Sequence, residues 1–334
     1  MSVVKTKRQT IIALVVFVLV LGVLTYSLRP SAEPRYRDIP LSRWLALHRA
    51  YQFRNLSHVV LLGDIGDIPD RDTLGPDAAN AIKQIGTNAL PSLIIWMRQP
   101  ECVWKRKLFE GTQKLPSAVR PNKMPAWLDY RRDHERASLA FSGFGILKME
   151  AAPAIPALAR IAGDTNALGA ARAVGVLAQI GKPAVPALAG LLSTNSARAI
   201  QVEVINGLGY LGPNAPDAVP ALVSCLNSSD EGIAKSAVWA LGRIARRSEL
   251  AIPALVEGLD DSRYAVRLAA VKALGEFGGD ASPAKRSLRD LVSQPDLKLS
   301  EEAEKALLKI SSASAGEPFG REVTPFREIF PGVR

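Results

Sequence analysis

Four short phrases recur along the chain at one spacing, and that spacing limits the fold more than any other feature of the sequence. "AIPALARIAG" (154–163), "AVPALAGLLS" (184–193), "AVPALVSCLN" (218–227) and "AIPALVEGLD" (251–260) each hold a proline just inside an apolar pattern with helical spacing. The prolines, Pro156, Pro186, Pro220 and Pro253, lie 30, 34 and 33 residues apart. Each phrase is accompanied by an apolar segment that closes on a short turn: "GAARAVGVLAQIG" (169–181), "QVEVINGLGYLG" (201–212), "AKSAVWALGRIA" (234–245) and "VRLAAVKALGEFG" (266–278). The last large apolar residues before those turns, Ile180, Leu211, Ile244 and Phe277, are spaced 31, 33 and 33. On the same reading Met149 opens the series and Ile310 closes it. Two independent landmarks with one period make an internal repeat.

Each unit reads as two helices. In one unit Asn166 is placed to cap the first helix, whose apolar stripe is Ala171, Val174, Leu177 and Ala178. Gly181 supplies the left-handed residue that commonly ends a helix. The first-turn N–H groups of a helix have no intrahelical partner, so a proline there loses little and presets φ. Pro186 therefore marks the start of a second helix, whose buried face is Val185, Leu188, Leu191 and Leu192. The repeat markers are thus Pro91, Pro156, Pro186, Pro220 and Pro253, with Gly86, Gly181, Gly212 and Gly278. One hairpin cannot bury both of its apolar faces, whereas stacked neighbours can, which predicts an all-α solenoid of helical hairpins.

The proline-led second helix, the "ALGxxG" close of the first, and Asp260-Asp261-Ser262 ahead of "YAVRLAAVKALG" (264–275) resemble the HEAT repeat. They are most similar to its short bacterial form, also found in phycobilin lyases. The resemblance covers 134–312 as an array. It extends to an outlying unit at 77–99, "DAANAIKQIGTNALPSLIIWMR", where Gly86 and Pro91 fill the two landmarks and Asp77 is placed as the cap. Residues 100–133 between them read as a basic and aromatic insert or a degenerate unit. The resemblance implies a protein-binding scaffold with an extended contact face; a lyase-like or other enzyme-associated subunit is the alternative.

The net charge of +10 is concentrated toward the N-terminus: residues 137–334 hold 21 basic against 20 acidic residues. Residues 1–10 carry +3, followed by "IIALVVFVLVLGVLTYSL" (11–28) with no charge. As a helix this segment spans about 27 Å, close to the thickness of a bilayer's hydrocarbon core. It is expected to be a single transmembrane anchor, with the N-terminus in the cytoplasm and the array outside it; the competing reading is a cleaved, exported chain. Residues 29–76 form a juxtamembrane and capping region, in which Ser42 is placed to cap an amphipathic helix carrying Trp44, Leu45 and Leu47. The tail, 313–334, carries Phe319, Phe326 and Phe330, and is expected to be disordered or laid along the last unit.

Nothing in the sequence assembles into catalytic chemistry. The three histidines, His48, His58 and His134, have no metal-ligand spacing, and Cys102 and Cys225 form no framework. The acidic stretch 63–77 lacks the spacing of a calcium loop. Neither catalytic residues, cofactors, metal nor small-molecule substrates are therefore expected. The expected partners are proteins, with the membrane engaged through 11–28. A DNA-tracking groove would need a column of basic residues on the second helices. That column reads Arg160, Gly190, Ser224, Glu257 and Asp290, so nucleic acid is not expected there. Residues 103–136 mix nine basic residues with aromatics and offer a second alternative, an anionic-lipid or nucleic-acid contact through Lys105, Arg106, Lys107, Arg131 and Arg132.

Overall fold

The structure, a computed structural model, describes residues 33–52, 71–98, 107, 110–112, 130–164, 167–193 and 197–314. The expected anchor at 11–28 lies outside these residues, as do Lys105, Arg106, the Asn166 cap and the tail from 315. No helix among the described residues is long and apolar enough to cross a membrane.

A two-stranded antiparallel hairpin, β1 (Arg35–Tyr36) and β2 (Ile39–Pro40), leads into α1 (Leu41–Gln52). An outlying hairpin comes next, α2 (Arg71–Ile85) and α3 (Leu90–Arg98). From there first and second helices alternate. The first helices are α4 (Tyr130–Leu147), α6 (Ala167–Ile180), α8 (Arg198–Leu211), α10 (Glu231–Ile244), α12 (Tyr264–Phe277) and α14 (Leu297–Ser314). The second helices are α5 (Ile155–Ala162), α7 (Val185–Ser193), α9 (Val219–Leu226), α11 (Ser248–Glu257) and α13 (Lys285–Val292). Each first helix packs on the next, and α5, α7, α9 and α11 pack in turn beside them, so two layers enclose one continuous apolar core from Leu41 to Ile310. Leu177, Leu208, Leu241 and Leu274, one per unit, are fully buried. Each such leucine contributes about 2–3 kcal/mol by leaving water.

The landmark glycines do what their spacing predicts. Gly86, Gly181, Gly212 and Gly278 have φ of 56°, 92°, 53° and 58°, the left-handed region that ends a helix at little cost only for glycine. Two units manage without one: Lys148 (φ 47°) and Ala245 (φ 43°) take the same position. Lys148 corrects the opening of the series. The last buried residue of α4 is Leu147, whereas Met149 lies beyond the turn and is 66% exposed. The first interval, Leu147 to Ile180, is therefore 33 residues, and only the step to Leu211 departs from that length.

Pro156 and Pro220 sit in the first two positions of α5 and α9, Pro186 is the second residue of α7, and Pro91 the second of α3. A 3-10 turn precedes each of these helices. Pro253 differs: α11 already starts at Ser248, because Ala245 and Arg247 both turn left-handed and let the helix begin early. Asp77 lies inside α2 and is not its cap. Ser42 is the second residue of α1, and its backbone N–H donates to the Glu33 carboxylate, so the acid upstream closes that helix end.

The outlying hairpin stacks directly on the array, α3 against α4 and α5, so residues 99–129 join neighbours that touch in space. At the other side α1 covers α2 and α4 with Trp44, Leu45 and Leu47, all buried, and the Trp44 indole N–H donates to the Tyr36 carbonyl at 3.1 Å. This is the sealed end that a repeat array needs.

Neighbouring first helices approach to backbone contact at one repeated place. A Cβ on Gly209, Gly242 or Gly275 would stand 3.1, 2.8 or 3.3 Å from the Cα of Ala240, Ala273 or Ala306 on the next helix. The second signature of the repeat, the glycine of "ALG", is thus a contact point between helices. A polar ladder runs beside it. Arg198, the first residue of α8, pairs with Asp230, whose Oδ1 also accepts the Ile233 N–H at 3.1 Å and caps α10. The Tyr264 hydroxyl, at the head of α12, stands 3.5 Å from Asp296, which caps α14 by accepting the Leu299 N–H at 3.0 Å.

Candidate functional site

Two outward surfaces are available on the array, and they differ in chemistry. The second helices present Pro156, Pro186, Pro220 and Pro253 to solvent, followed by the column Arg160, Gly190, Ser224, Glu257 and Asp290, all at least partly exposed. That column carries one cation and two anions and so offers no continuous track for phosphates.

The first helices present an aromatic pair. Tyr210 on α8 and Trp239 on α10 meet edge to face, with ring centroids 5.1 Å apart and planes at 71°. Gly209 makes room for this pair, since a Cβ there would collide with the Trp239 ring. Trp239 remains 36% exposed. The groups around it are only partly satisfied. Glu203, on the same face of α8, is half-buried with no hydrogen bond or ion pair among the described residues, and burial pushes its carboxyl above the usual range. Tyr210 is pushed up by burial first and by Glu203 second, against Arg243. Elsewhere in this layer Gln179 Oε1, on α6, is buried against Gly145 of α4 without a hydrogen-bond partner among the described residues. Tryptophan, tyrosine and arginine in a partly desolvated cluster are the residue types that dominate protein–protein contact energies.

A shallow polar notch of about 410 Å³ lies between the turns of adjacent units, lined by Asn227, Ser228, Ser229, Asp261, Ser262 and Arg263. Its cation is already engaged. Arg263 donates Nε and Nη2 to the Asp261 carboxylate at 2.9 and 2.7 Å, and Nη1 to the Ser228 carbonyl at 2.8 Å. The arginine ties one unit's turn to the next and leaves little to offer a ligand. The Asp261 carboxyl is held down to about 2, chiefly by those guanidinium hydrogen bonds.

Of the basic residues singled out in the sequence, Lys107 is exposed, Arg131 and Arg132 lie near the start of α4, and Lys105 and Arg106 fall outside the described residues. His134 Nδ1 lies 3.0 Å from Arg172 Nη2, while burial lowers the pKa of His48. Burial pushes the Cys225 thiol up, which suits an inert packing residue. No group of three or more His, Cys, Asp or Glu able to hold a metal ion occurs among the described residues. The Tyr210–Trp239 pair escapes a reading of the sequence, because nothing local says that two aromatics on different helices meet. The available signal is that each interrupts a stretch of small and aliphatic residues on an otherwise polar face.

The family model of HEAT repeats matches in three overlapping spans, 154–242, 192–264 and 233–308. Among solved structures, the chain is similar to an engineered protein at 22% identity and TM-score 0.38, over 53% of this chain and 91% of that one. A second engineered protein matches at 18% identity and TM-score 0.39, over 80% and 68%. An archaeal HEAT-like repeats protein from Thermococcus onnurineus NA1 matches at 12% identity and TM-score 0.38, over 70% and 97%. No curated protein matches the chain.

Proposed function

We propose, taking the HEAT-like repeats of residues 154–308 as the premise, that this array is a docking scaffold for a protein partner and performs no chemistry of its own. The observation that carries this reading is the Tyr210–Trp239 pair: a tryptophan held half-open on a rigid layer, beside a partly desolvated glutamate. A partner that covered Trp239 and donated to Glu203 would satisfy a half-buried carboxyl that has no hydrogen bond among the described residues. The segment 11–28 is proposed to hold this scaffold at a membrane, with the array on the extracytoplasmic side.

A photo-crosslinking residue placed at Arg243, one turn from Trp239, at Glu257 on the opposite layer, or at Met149 beyond the first turn tests the assignment in the native cell. A defined adduct from position 243 and none from 149 is expected, and Tyr210→Ala should weaken the adduct from 243. Equal adducts from all three positions, or none from 243, overturn the assignment of this face. Membrane attachment is read separately by fractionation with and without residues 11–28: a chain that stays in the soluble fraction in both forms overturns the anchor and leaves the docking face standing.

A further inference from the structure

The seam between first helices changes character toward its start. From α8 onward Gly209, Gly242 and Gly275 each bring the next helix to backbone contact, facing Ala240, Ala273 and Ala306. Between α6 and α8 the two residue types change places. Ala178 stands at the glycine position and Gly207 at the alanine position, where a Cβ would lie 3.5 Å from the Ala178 Cβ. Between α4 and α6 the close approach is lost. The glycine is present as Gly145, but the three atoms nearest to a Cβ there, at 3.1, 3.6 and 3.9 Å, all belong to the Gln179 amide. The residue at the alanine position is Val176. A side chain thus stands where the later joints set backbone against backbone. In keeping with this, α4 touches α6 less extensively than any later first helix touches its neighbour.

Gln179 departs from the rest of its column. It precedes the last apolar residue of α6, as Tyr210, Arg243, Glu276 and Lys309 precede those of α8, α10, α12 and α14, and those four side chains reach solvent. The Gln179 amide is turned onto Gly145, with Oε1 buried and without a hydrogen-bond partner among the described residues. A buried acceptor without a donor favours any rearrangement that lets water reach it. The other contacts across this joint are separable. The Phe141 ring rests on Gly175, where a Cβ would lie 3.0 Å from its Cε2, so it meets no side chain that interlocks with it. At the surface, Arg172 Nη2 lies 3.0 Å from His134 Nδ1. Each side of the joint is coherent in itself, since α3 packs chiefly on α4 and α5 chiefly on α6. The chain crosses between them through the 3-10 turn Lys148–Ala154, which starts at the left-handed Lys148 and lies outside both helices. A few such residues suffice to absorb the backbone changes of a hinge.

We propose that the array is jointed here. Residues 33–98 and 130–147 pivot as one body on residues 155–314 through the Lys148–Ala154 turn, and opening of the joint hydrates the Gln179 amide. The later joints, closed by glycine on alanine, stay rigid. The layer that carries Tyr210 and Trp239 therefore keeps its shape while the N-terminal body changes its angle to it.

Two spin-label pairs of equal reach test the joint in the full chain, with Cys102→Ser and Cys225→Ala removing the native thiols. Ile95 on α3 and Ser224 on α9 lie three units apart across the joint, and Arg160 on α5 and Glu257 on α11 lie three apart beyond it; all four are exposed. Pulsed dipolar measurements should give one narrow distance for labels at 160 and 257, and a second population for labels at 95 and 224. Gln179→Leu fills the wedge with no acceptor to hydrate, and should reduce that second population about 10-fold. An unchanged distance between 160 and 257 shows that the variant is folded. A single narrow distance between 95 and 224 in the unaltered chain overturns the proposal. A second population present equally in both pairs overturns it by making the whole array flexible. One that Gln179→Leu leaves unchanged overturns it by removing the amide as the cause.

Discussion

In α10, Gly242 lies where a Cβ would stand 2.8 Å from the Ala273 Cα, a contact that no side-chain rotation can relieve. In α7, Gly190 has nothing within 4 Å of the same imaginary atom and is open to solvent. The same residue, helical in both layers, is thus a spacing constraint in one and no constraint in the other. The first-helix layer sets how closely units stack, through Gly209, Gly242 and Gly275 against Ala240, Ala273 and Ala306. The second-helix layer sets where each unit turns, through its prolines, and leaves its outward column free to vary. A chain of this kind can change its second-helix surface cheaply. It can change its first-helix surface only outside the glycine seam, and the Tyr210–Trp239 pair sits on the edge of that seam.

The largest effects should fail to distinguish the layers. Leu241→Ala in α10 and Leu222→Ala in α9 each empty a fully buried position, and each should cost about 3 kcal/mol in urea unfolding. If Leu222→Ala cost well under about 1 kcal/mol, the second layer would be a loose cover and not half of the core. Below that comes the seam itself. Gly242→Ala should destabilise by about 1–2 kcal/mol, since Ala273 must move its backbone to admit a methyl group. The opposite sign is expected in the other layer: Gly190→Ala should stabilise by about 0.5–1 kcal/mol, the ordinary helix preference with nothing to obstruct it. Two substitutions of the same sign would erase the contrast between the layers.

The period, the two-helix unit and the four left-handed glycines are legible in the sequence because each rests on local chemistry repeated at a fixed interval. Met149 misleads for the same reason. It and Leu147 are both apolar, and the residue that separates helix from turn is Lys148, left-handed without the glycine that would announce it. Pro253 is sound as a landmark and misleading as a helix start, because the early start of α11 depends on Ala245 and Arg247 turning together. The candidate site is less legible still. Whether Tyr210 meets Trp239 depends on the register between two helices, and the glycine that seats the indole belongs to the first helix, not to the tryptophan's own. The prolines and glycines that mark the units carry no information about which outward residues converge.

The smallest effect concerns charge, and it separates the outer face from the joints between units. Asp261 is held at about 2, chiefly by hydrogen bonds from Arg263, below its value in an unfolded chain. A depressed carboxyl stabilises the folded state above roughly pH 4, and that contribution is lost as pH falls from about 4 toward 2. Glu203 has the reverse sign. Burial without a partner raises its carboxyl, so it is less unfavourable when protonated, and its contribution to stability is lost as pH rises through its raised range. Asp261→Asn should therefore flatten the acid limb of a stability–pH curve, and Glu203→Gln should flatten the limb above it in the opposite direction. The Arg263–Asp261 pair is half-buried and keeps an edge in water, with side chains 23% and 18% exposed, so the first change should be modest. A partner bound over Tyr210 and Trp239 that donates to Glu203 should lower the Glu203 carboxyl toward its ordinary value and leave Asp261 where it is. Proton release on binding, measured by calorimetry in buffers of different ionisation enthalpy near about pH 5, reads that shift directly. Binding that releases no protons there would place the partner elsewhere on the array.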